Sequence, residues 1–323
     1  MIYTNKLFLT INKDLIQLNI NLKKMVAAKH PILYAAAEHL FNAGGKRIRP
    51  SIILLISKIT SFNHKILPEH RRLAEITEII HTASLIHDDV IDDCATRRGL
   101  NTVHSIFNTR TAVLAGDFLF AQSSWYLANL KNLEVVQIIS KVITDFAEGE
   151  IRQGLTNFDT KISIEDYIEK SFYKTASLIA SSCKGTAMIS NRNENIQNDF
   201  YLYGKHLGLA FQIIDDILDI TSSFEKLGKP AGSDLKNGNL TAPLIFALEE
   251  NSKLFHIINK EFQNDKDITI AINIIKNSKG VQKAKDLAQE HIQLAIQIIK
   301  DQYIYEDTKI LIALSNYILN RIK

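Results

Sequence analysis

Two stretches of this chain carry the same acidic pattern, Asp88-Asp89-Val90-Ile91-Asp92 and Asp215-Asp216-Ile217-Leu218-Asp219, each set in an apolar run and each reading DDxxD. On a helix the first and last carboxylates of such a pattern lie one turn apart on a single face. Like charges at that spacing destabilise a bare helix, so the face calls for a cation. With 19 aspartates in 323 residues, a chance DDxxD is expected roughly 0.07 times per chain, and two copies are not accidental. The plain alternative is a solvated acidic face. Ile86, Val90 and Ile91 beside the first copy, and Ile213, Ile214 and Ile217 beside the second, leave little room for one. Carboxylate oxygens suit Mg²⁺, which keeps several waters and binds through one or two carboxylates together with substrate phosphates. Two such helices facing each other would clamp a diphosphate through shared ions. They would neutralise charge on it as it departs, activating a leaving group without a protein nucleophile.

Cations stand in matching short runs. Gly44-Gly45-Lys46-Arg47-Ile48-Arg49-Pro50 is a basic loop entering a helix, and Arg97-Arg98-Gly99 follows the first acidic pattern. Arginine suits bidentate contact with diphosphate oxygens and lysine supplies a point charge. His81 precedes Asp88 by two helical turns. Taken singly, these are the features of surface loops and of a core histidine. There is no GxxxxGK[ST] loop and no GxSxG elbow, and the only cysteines, Cys94 and Cys183, have no metal-ligand spacing. A net charge of +3 spread over the chain leaves no nucleic-acid footprint.

The elements that must position these residues read as helices. With 46% hydrophobic and 23% charged residues, the chain buries a large core, and no linker divides it. We read one domain over 1–323. No proline falls between Pro68 and Pro230, and apolar residues recur at three and four, as in Leu73, Ile76, Ile79 and Ala83. The spacing predicts helices over 4–27, 32–43, 50–60, 68–93, 111–130, 132–157, 163–190, 195–224 and 240–250, with shorter ones beyond. Ser163 followed by Asp166 reads as a helix cap. The first 24 residues form no signal-peptide core. The longest apolar stretch, Thr111 to Leu130, carries Asp117 in its middle and is not a membrane span. A cytoplasmic location is expected.

In order along most of the chain, GGKRIRP, HTASLIHDDVIDD, RRG, AGDFLF, FQIIDDILD and GKPAGSDLKNGNLTAPL resemble the landmarks of the trans-polyprenyl (E-isoprenyl) diphosphate synthase family, most of all its long-chain octaprenyl type. The resemblance implies an all-α bundle of long helices around a deep central cavity, a homodimer, and a substrate pair of isopentenyl diphosphate and an allylic diphosphate such as farnesyl diphosphate. It implies two or three Mg²⁺ ions, held by Asp88 and Asp92 with Asp89 supporting, and from the opposite wall by Asp215, Asp216 and Asp219. Lys46, Arg49, His81 and Arg98 fall where the family grips isopentenyl diphosphate. Arg97, Lys174, Thr175, Gln212 and Lys229 fall around the allylic diphosphate. In the implied reaction, loss of diphosphate leaves an allylic cation, the double bond of isopentenyl diphosphate attacks it, and proton loss gives a trans double bond. Contact with a membrane surface would serve product release into quinone side-chain synthesis. Two residues depart from the pattern: Asp93 adds an acid of unassigned role, and Asn239 stands where relatives commonly carry Lys, which would throw weight onto Lys229.

Family enzymes block chain growth with bulky residues four or five positions before the first acidic motif. Here those positions are Ser84 and Ala83, both small. The helix back to Pro68 then offers roughly 30 Å of wall, enough for an octaprenyl product, with Trp125 and Tyr126 as candidate floor. The competing readings are a shorter-chain farnesyl or geranylgeranyl synthase, a regulatory subunit, which would lack an acidic motif, and a terpene cyclase, which would need no isopentenyl diphosphate grip.

Overall fold

Prolines stand where helices begin. In a computed structural model describing residues 6–42, 44–222, 232–262, 264–302 and 305–322, Pro31 and Pro68 open helices, and Pro50 and Pro243 sit in first turns. The missing N–H is harmless there because it would have no helical partner. Pro230 lies outside the described residues.

The described helices are α1 (Asn12–Met25), α2 (Pro31–Asn42), α3 (Ile48–Thr60), α4 (Pro68–Ile91), α5 (Val103–Ile106), α6 (Thr109–Ala128), α7 (Leu133–Leu155), α8 (Ile164–Ser171), α9 (Ser177–Ile189) and α10 (Glu194–Thr221). Beyond them come α11 (Ser233–Lys236), α12 (Ala242–Leu248), α13 (Lys253–Ile258), α14 (Asp265–Asn277), α15 (Gly280–Gln302) and α16 (Tyr305–Leu319). Among the described residues only Thr96–Arg97 (β1) and Leu100–Asn101 (β2) pair as strands, so the fold is all-α as expected. The expected helix over 163–190 is broken by a π-helical turn at Phe172–Ala176, and the start of the first is a 3₁₀ turn, Lys6–Ile11. Ser163 caps α8 reciprocally with Asp166: each backbone N–H donates to the other's side chain at 3.1 Å.

The chain forms two compact units, each assembled from separated stretches: Met1–Ile143, Leu178–Gly204 and Ile299–Leu314, then Thr144–Ser177, Lys205–Ile298 and Ser315–Lys323. That interleaving is why no linker is visible in the sequence. In the first unit α3 is buried on nearly every side, from Ile52 through Ile56, as a helix apolar all round must be. The interior of α4 is partly polar, and its middle is matched: Thr77 bonds Ser182 at 2.9 Å, and His70 bonds the Thr186 carbonyl at 3.2 Å. α6 meets α4 at Gly116, where any Cβ would collide with the His87 ring.

In the second unit, Ile213, Ile214, Ile217 and Ile220 of α10 pack with Tyr167, Leu235, Leu240, Leu244 and Ile275 in one core. The apolar residues that argued against a solvated acidic face are thus the anchor of the second acidic motif. In the first motif Ile86 is buried, whereas Ile91 is 61% exposed.

Candidate active site

The first acidic motif occupies the last turn of α4. Asp88 and Asp92 are half-buried, while Asp89 turns away and is only 1% exposed. Arg97 Nε donates to Asp89 Oδ1 at 2.6 Å, and Asp89 Oδ2 is buried with no hydrogen-bond partner among the described residues. Burial pushes the Asp89 carboxyl above its usual range and Arg97 pulls it back. The helix then stops on a left-handed residue. Asp93 has φ 49°, Cys94 N–H donates to Asp89 O at 3.0 Å, and Asp93 N–H donates to Val90 O at 3.3 Å. This is a Schellman closure, and aspartate is among the few non-glycine residues that visit that conformation readily. Asp93, without a role in the sequence, ends the helix.

The chain returns at once through the β1–β2 hairpin. Arg98 and Gly99 at its tip have φ 54° and 78°, the left-handed pair of a tight hairpin turn. This aims Arg97 at Asp89 and Arg98 at the basic loop. An Arg98 guanidinium N–H donates to the Gly44 carbonyl, and a Cβ on Gly45 would lie 2.8 Å from the same guanidinium.

Within that loop Arg47, left-handed at φ 48°, is buried. It donates to Glu78 Oε1 at 2.6 Å and Asn19 Oδ1 at 2.9 Å. Arg49 instead lies 3.0 Å from His81 Nε2. Burial, then Arg49, Arg98, Arg97 and Arg47, hold His81 well below its usual pKa, so the neutral ring accepts from Arg49. Lys46 is exposed. The structure therefore brings Arg49 to His81 and Arg98 to the loop bearing Lys46. Ala83 is fully buried; Ser84 is half-buried with its hydroxyl on the His81 carbonyl at 2.9 Å. Trp125, a candidate floor residue with Tyr126, is 61% exposed in the single chain, and its ring sits edge-on against Tyr126, which Arg72 covers.

In the second unit each carboxylate of the motif is tied differently. Asp215 receives Arg321 Nη2 at 2.8 Å. Asp216, 3% exposed, accepts from the Tyr167 hydroxyl at 2.6 Å and from Gln212 Nε2 at 2.8 Å. Its carboxyl is pushed up to about 8 by burial and by the neighbouring Asp234, against the pull of those two bonds. Asp219 is 2% exposed and receives the Asp234 N–H at 3.4 Å. Thr175 donates to Gln212 at 2.6 Å, so the expected binding residues Thr175 and Gln212 extend the network that holds Asp216. Lys174 pairs with Glu150 at 2.7 Å and donates to Gln153 at 3.1 Å. It leaves from the π turn, which glycines grip closely. A Cβ on Gly149 would sit 3.1 Å from Tyr173 Cβ, and one on Gly208 2.7 Å from Ala176 Cα. Single-turn π insertions are frequent at functional positions. Lys229 lies outside the described residues.

Tyr167, Lys170, Arg321 and Glu150 escaped the sequence reading because nothing in their local patterns ties them to the motifs. Only Lys170 left a signal, standing four residues before Lys174.

The donors around both motifs are oxygens, the set that suits magnesium. Among the described residues no three His, Cys, Asp or Glu side chains converge as a metal cage. Magnesium needs none, since it completes its shell with water and substrate phosphates.

The sequence pattern of the family described as Polyprenyl synthetase matches residues 30–275. A prenyl transferase from Porphyra purpurea is 64% identical over 296 residues, 92% of each chain. A chloroplastic solanesyl-diphosphate synthase 2 from Oryza sativa subsp. japonica is 53% identical over 299 residues, 92% of this chain and 74% of the relative. Among solved structures, a polyprenyl synthase from Caulobacter crescentus CB15 complexed with calcium and isoprenyl diphosphate superimposes with a TM-score of 0.92 at 30% identity, covering 98% of this chain and 97% of that one.

Proposed function

On the premise that the chain belongs to the polyprenyl synthetase family, we propose how its residues divide the work of a trans-prenyltransferase. The activity is that of a long-chain polyprenyl diphosphate synthase. The observation that carries the assignment of roles is that one unit holds both the half-buried Asp88 and Asp92 at the end of α4 and, earlier on the same helix, His81 against Arg49, with Arg98 on the Gly44 carbonyl of the basic loop.

Asp88, Asp92, Asp215 and Asp219 are the proposed ligands of two or three Mg²⁺ ions. The bound ions would supply charge neutralisation on the departing diphosphate. Asp89 and Asp216, both buried and hydrogen-bonded, act as positioning groups. Asp89 fixes Arg97 and with it the hairpin, and Asp216 fixes Gln212 and Tyr167. Arg49, Arg98 and Lys46 hold isopentenyl diphosphate. Neutral His81 orients Arg49 without competing for the anion. Lys174 and Lys229 grip the allylic diphosphate. Water must be kept from the allylic cation, and the apolar wall of α4 from Ala83 upward is suited to exclude it.

The product is proposed to lie in the octaprenyl to solanesyl range, from small Ala83 and Ser84 and from the solanesyl synthase relatives. The two units are proposed to act as one catalytic domain and the chain as a homodimer, for which Leu114 and Trp125 of α6, 51% and 61% exposed, offer apolar surface. No helix among the described residues is long and apolar enough to cross a membrane. An aqueous compartment follows as the proposed location, a plastid interior where the relatives are chloroplastic or a cytoplasm otherwise.

The test is incubation of the purified single chain with labelled isopentenyl diphosphate, farnesyl diphosphate and Mg²⁺, reading product mass. A long polyprenyl diphosphate that vanishes with chelator, and falls at least a hundredfold in rate in D88N and D215N, is expected, in line with losses of about 10²–10³ when one charge-stabilising group is removed. Hydrocarbon release from farnesyl diphosphate alone would instead assign a cyclase, and inactivity of the single chain a regulatory subunit.

A further inference from the structure

Lys170, the penultimate residue of α8, is 6% exposed. An ammonium has three donors and no acceptor, yet among the described residues this one makes a single hydrogen bond, to Asn239 Oδ1 at 2.6 Å. Asn239 is itself held, its N–H donating to Asp234 O at 2.9 Å. Around the ammonium stand the charges of Asp216 on α10, Asp234 on α11 and Glu150 on α7, and the like charge of Lys174 on the π turn. Asp216 already accepts from Tyr167 and Gln212, and Lys174 is paired with Glu150. The acids therefore favour a cation here without filling its donors. A buried cation with two donors unfilled, beside the second acidic motif and near the lysine assigned to the allylic diphosphate, is built to meet an anion.

The partner is informative too. Position 239 carries Asn where the family resemblance led us to expect Lys, and a lysine there would set a second ammonium against that of Lys170. The two arrangements exclude each other: one cation from position 239, or one from position 170 with a neutral amide beside it.

We propose that Lys170 is a diphosphate-binding residue of this chain, contacting the allylic diphosphate alongside Lys174, and that Asn239 positions it in place of the cation that residue 239 lacks. The proposal rests on the functional reading above. It also alters the expectation that the missing charge falls to Lys229, because Lys170 supplies it.

The test compares Lys170→Met, Asn239→Lys and the double variant K170M/N239K with the unaltered chain. Binding of inorganic diphosphate in the presence of Mg²⁺ is read by calorimetry, and KM for farnesyl and isopentenyl diphosphates by labelled condensation. K170M should weaken diphosphate binding at least tenfold and raise KM for farnesyl diphosphate likewise, leaving KM for isopentenyl diphosphate unchanged. N239K alone should also lose affinity through repulsion, and the double variant should recover most of it. Unaltered diphosphate affinity in K170M overturns the proposal, and so does a folded double variant without recovery. The double variant decides the matter should K170M fail to fold. A shift confined to isopentenyl diphosphate would place the amine at the other substrate, which also overturns it. If the unaltered chain makes no polyprenyl product, the functional reading fails, an outcome separable from all of these.

Discussion

Arg47 and Arg49, two positions apart in one basic loop, do different work. Arg47 and Glu78 are each 5% exposed at the side chain, and the arginine also reaches Asn19, so it joins the loop to α1 and α4. Arg49 meets neutral His81 and is proposed to direct its charge to a ligand. Removing one partner of a buried pair strands the other charge. We expect Arg47→Met to lose about 3–5 kcal/mol of stability in urea unfolding, while Arg49→Met keeps its stability and raises KM for isopentenyl diphosphate. A second residue-scale expectation concerns His70, fully buried, its pKa brought down to about 4 from the ordinary 6.5 chiefly by burial. Its Nδ1 accepts the Leu67 N–H at 3.2 Å and its Nε2 meets Thr186 O, so a second ring proton would break the first bond. The folded state refuses a proton that the unfolded chain accepts. The resulting stability is present above pH 6.5 and is lost as pH falls toward 4. Denaturant curves at pH 7 and pH 5 should differ by on the order of 2 kcal/mol from this group, a difference that His70→Gln should remove.

At the scale of elements, α4 does most. One continuous helix carries the proposed chain wall (Ala83, Ser84), the histidine in contact with Arg49, the carboxylates proposed to hold metal and, through Asp89, the hairpin that brings back Arg97 and Arg98. Its rigidity comes from buried, matched polar groups as much as from its apolar residues. Because Ala83 is fully buried, Ala83→Phe should shorten the product by several isoprene units in mass analysis while leaving the first condensation intact. An unchanged product would remove α4 as the wall. Helical periodicity predicted α4 to within two residues at its end. It was blind to the π turn and to the hairpin, because one is an insertion forced by packing between Gly149 and Gly208 and the other rests on left-handed Arg98, a residue type that gives no turn signal.

For the whole molecule, the second acidic motif is held by groups far away in sequence, Tyr167 on Asp216 at 49 residues and Arg321 on Asp215. The proposed homodimer predicts that Trp125→Asp lowers the mass seen in sedimentation and that the unaltered chain sediments at twice 36.5 kDa. What the amino-acid order determined by itself was whatever depends on neighbours: helical class, the acidic and basic runs, the caps at Ser163 and at the prolines, and through them the family. What only tertiary structure decided was the division of roles among identical residues. Asp89 and Asp216 turn inward while Asp88 stays half open, Arg47 is tied to Glu78 and Asn19 while Arg49 meets His81, and Lys170 bonds Asn239 where a cation was expected. Those choices depend on burial and on long-range partners, and three-to-four periodicity carries no information about either.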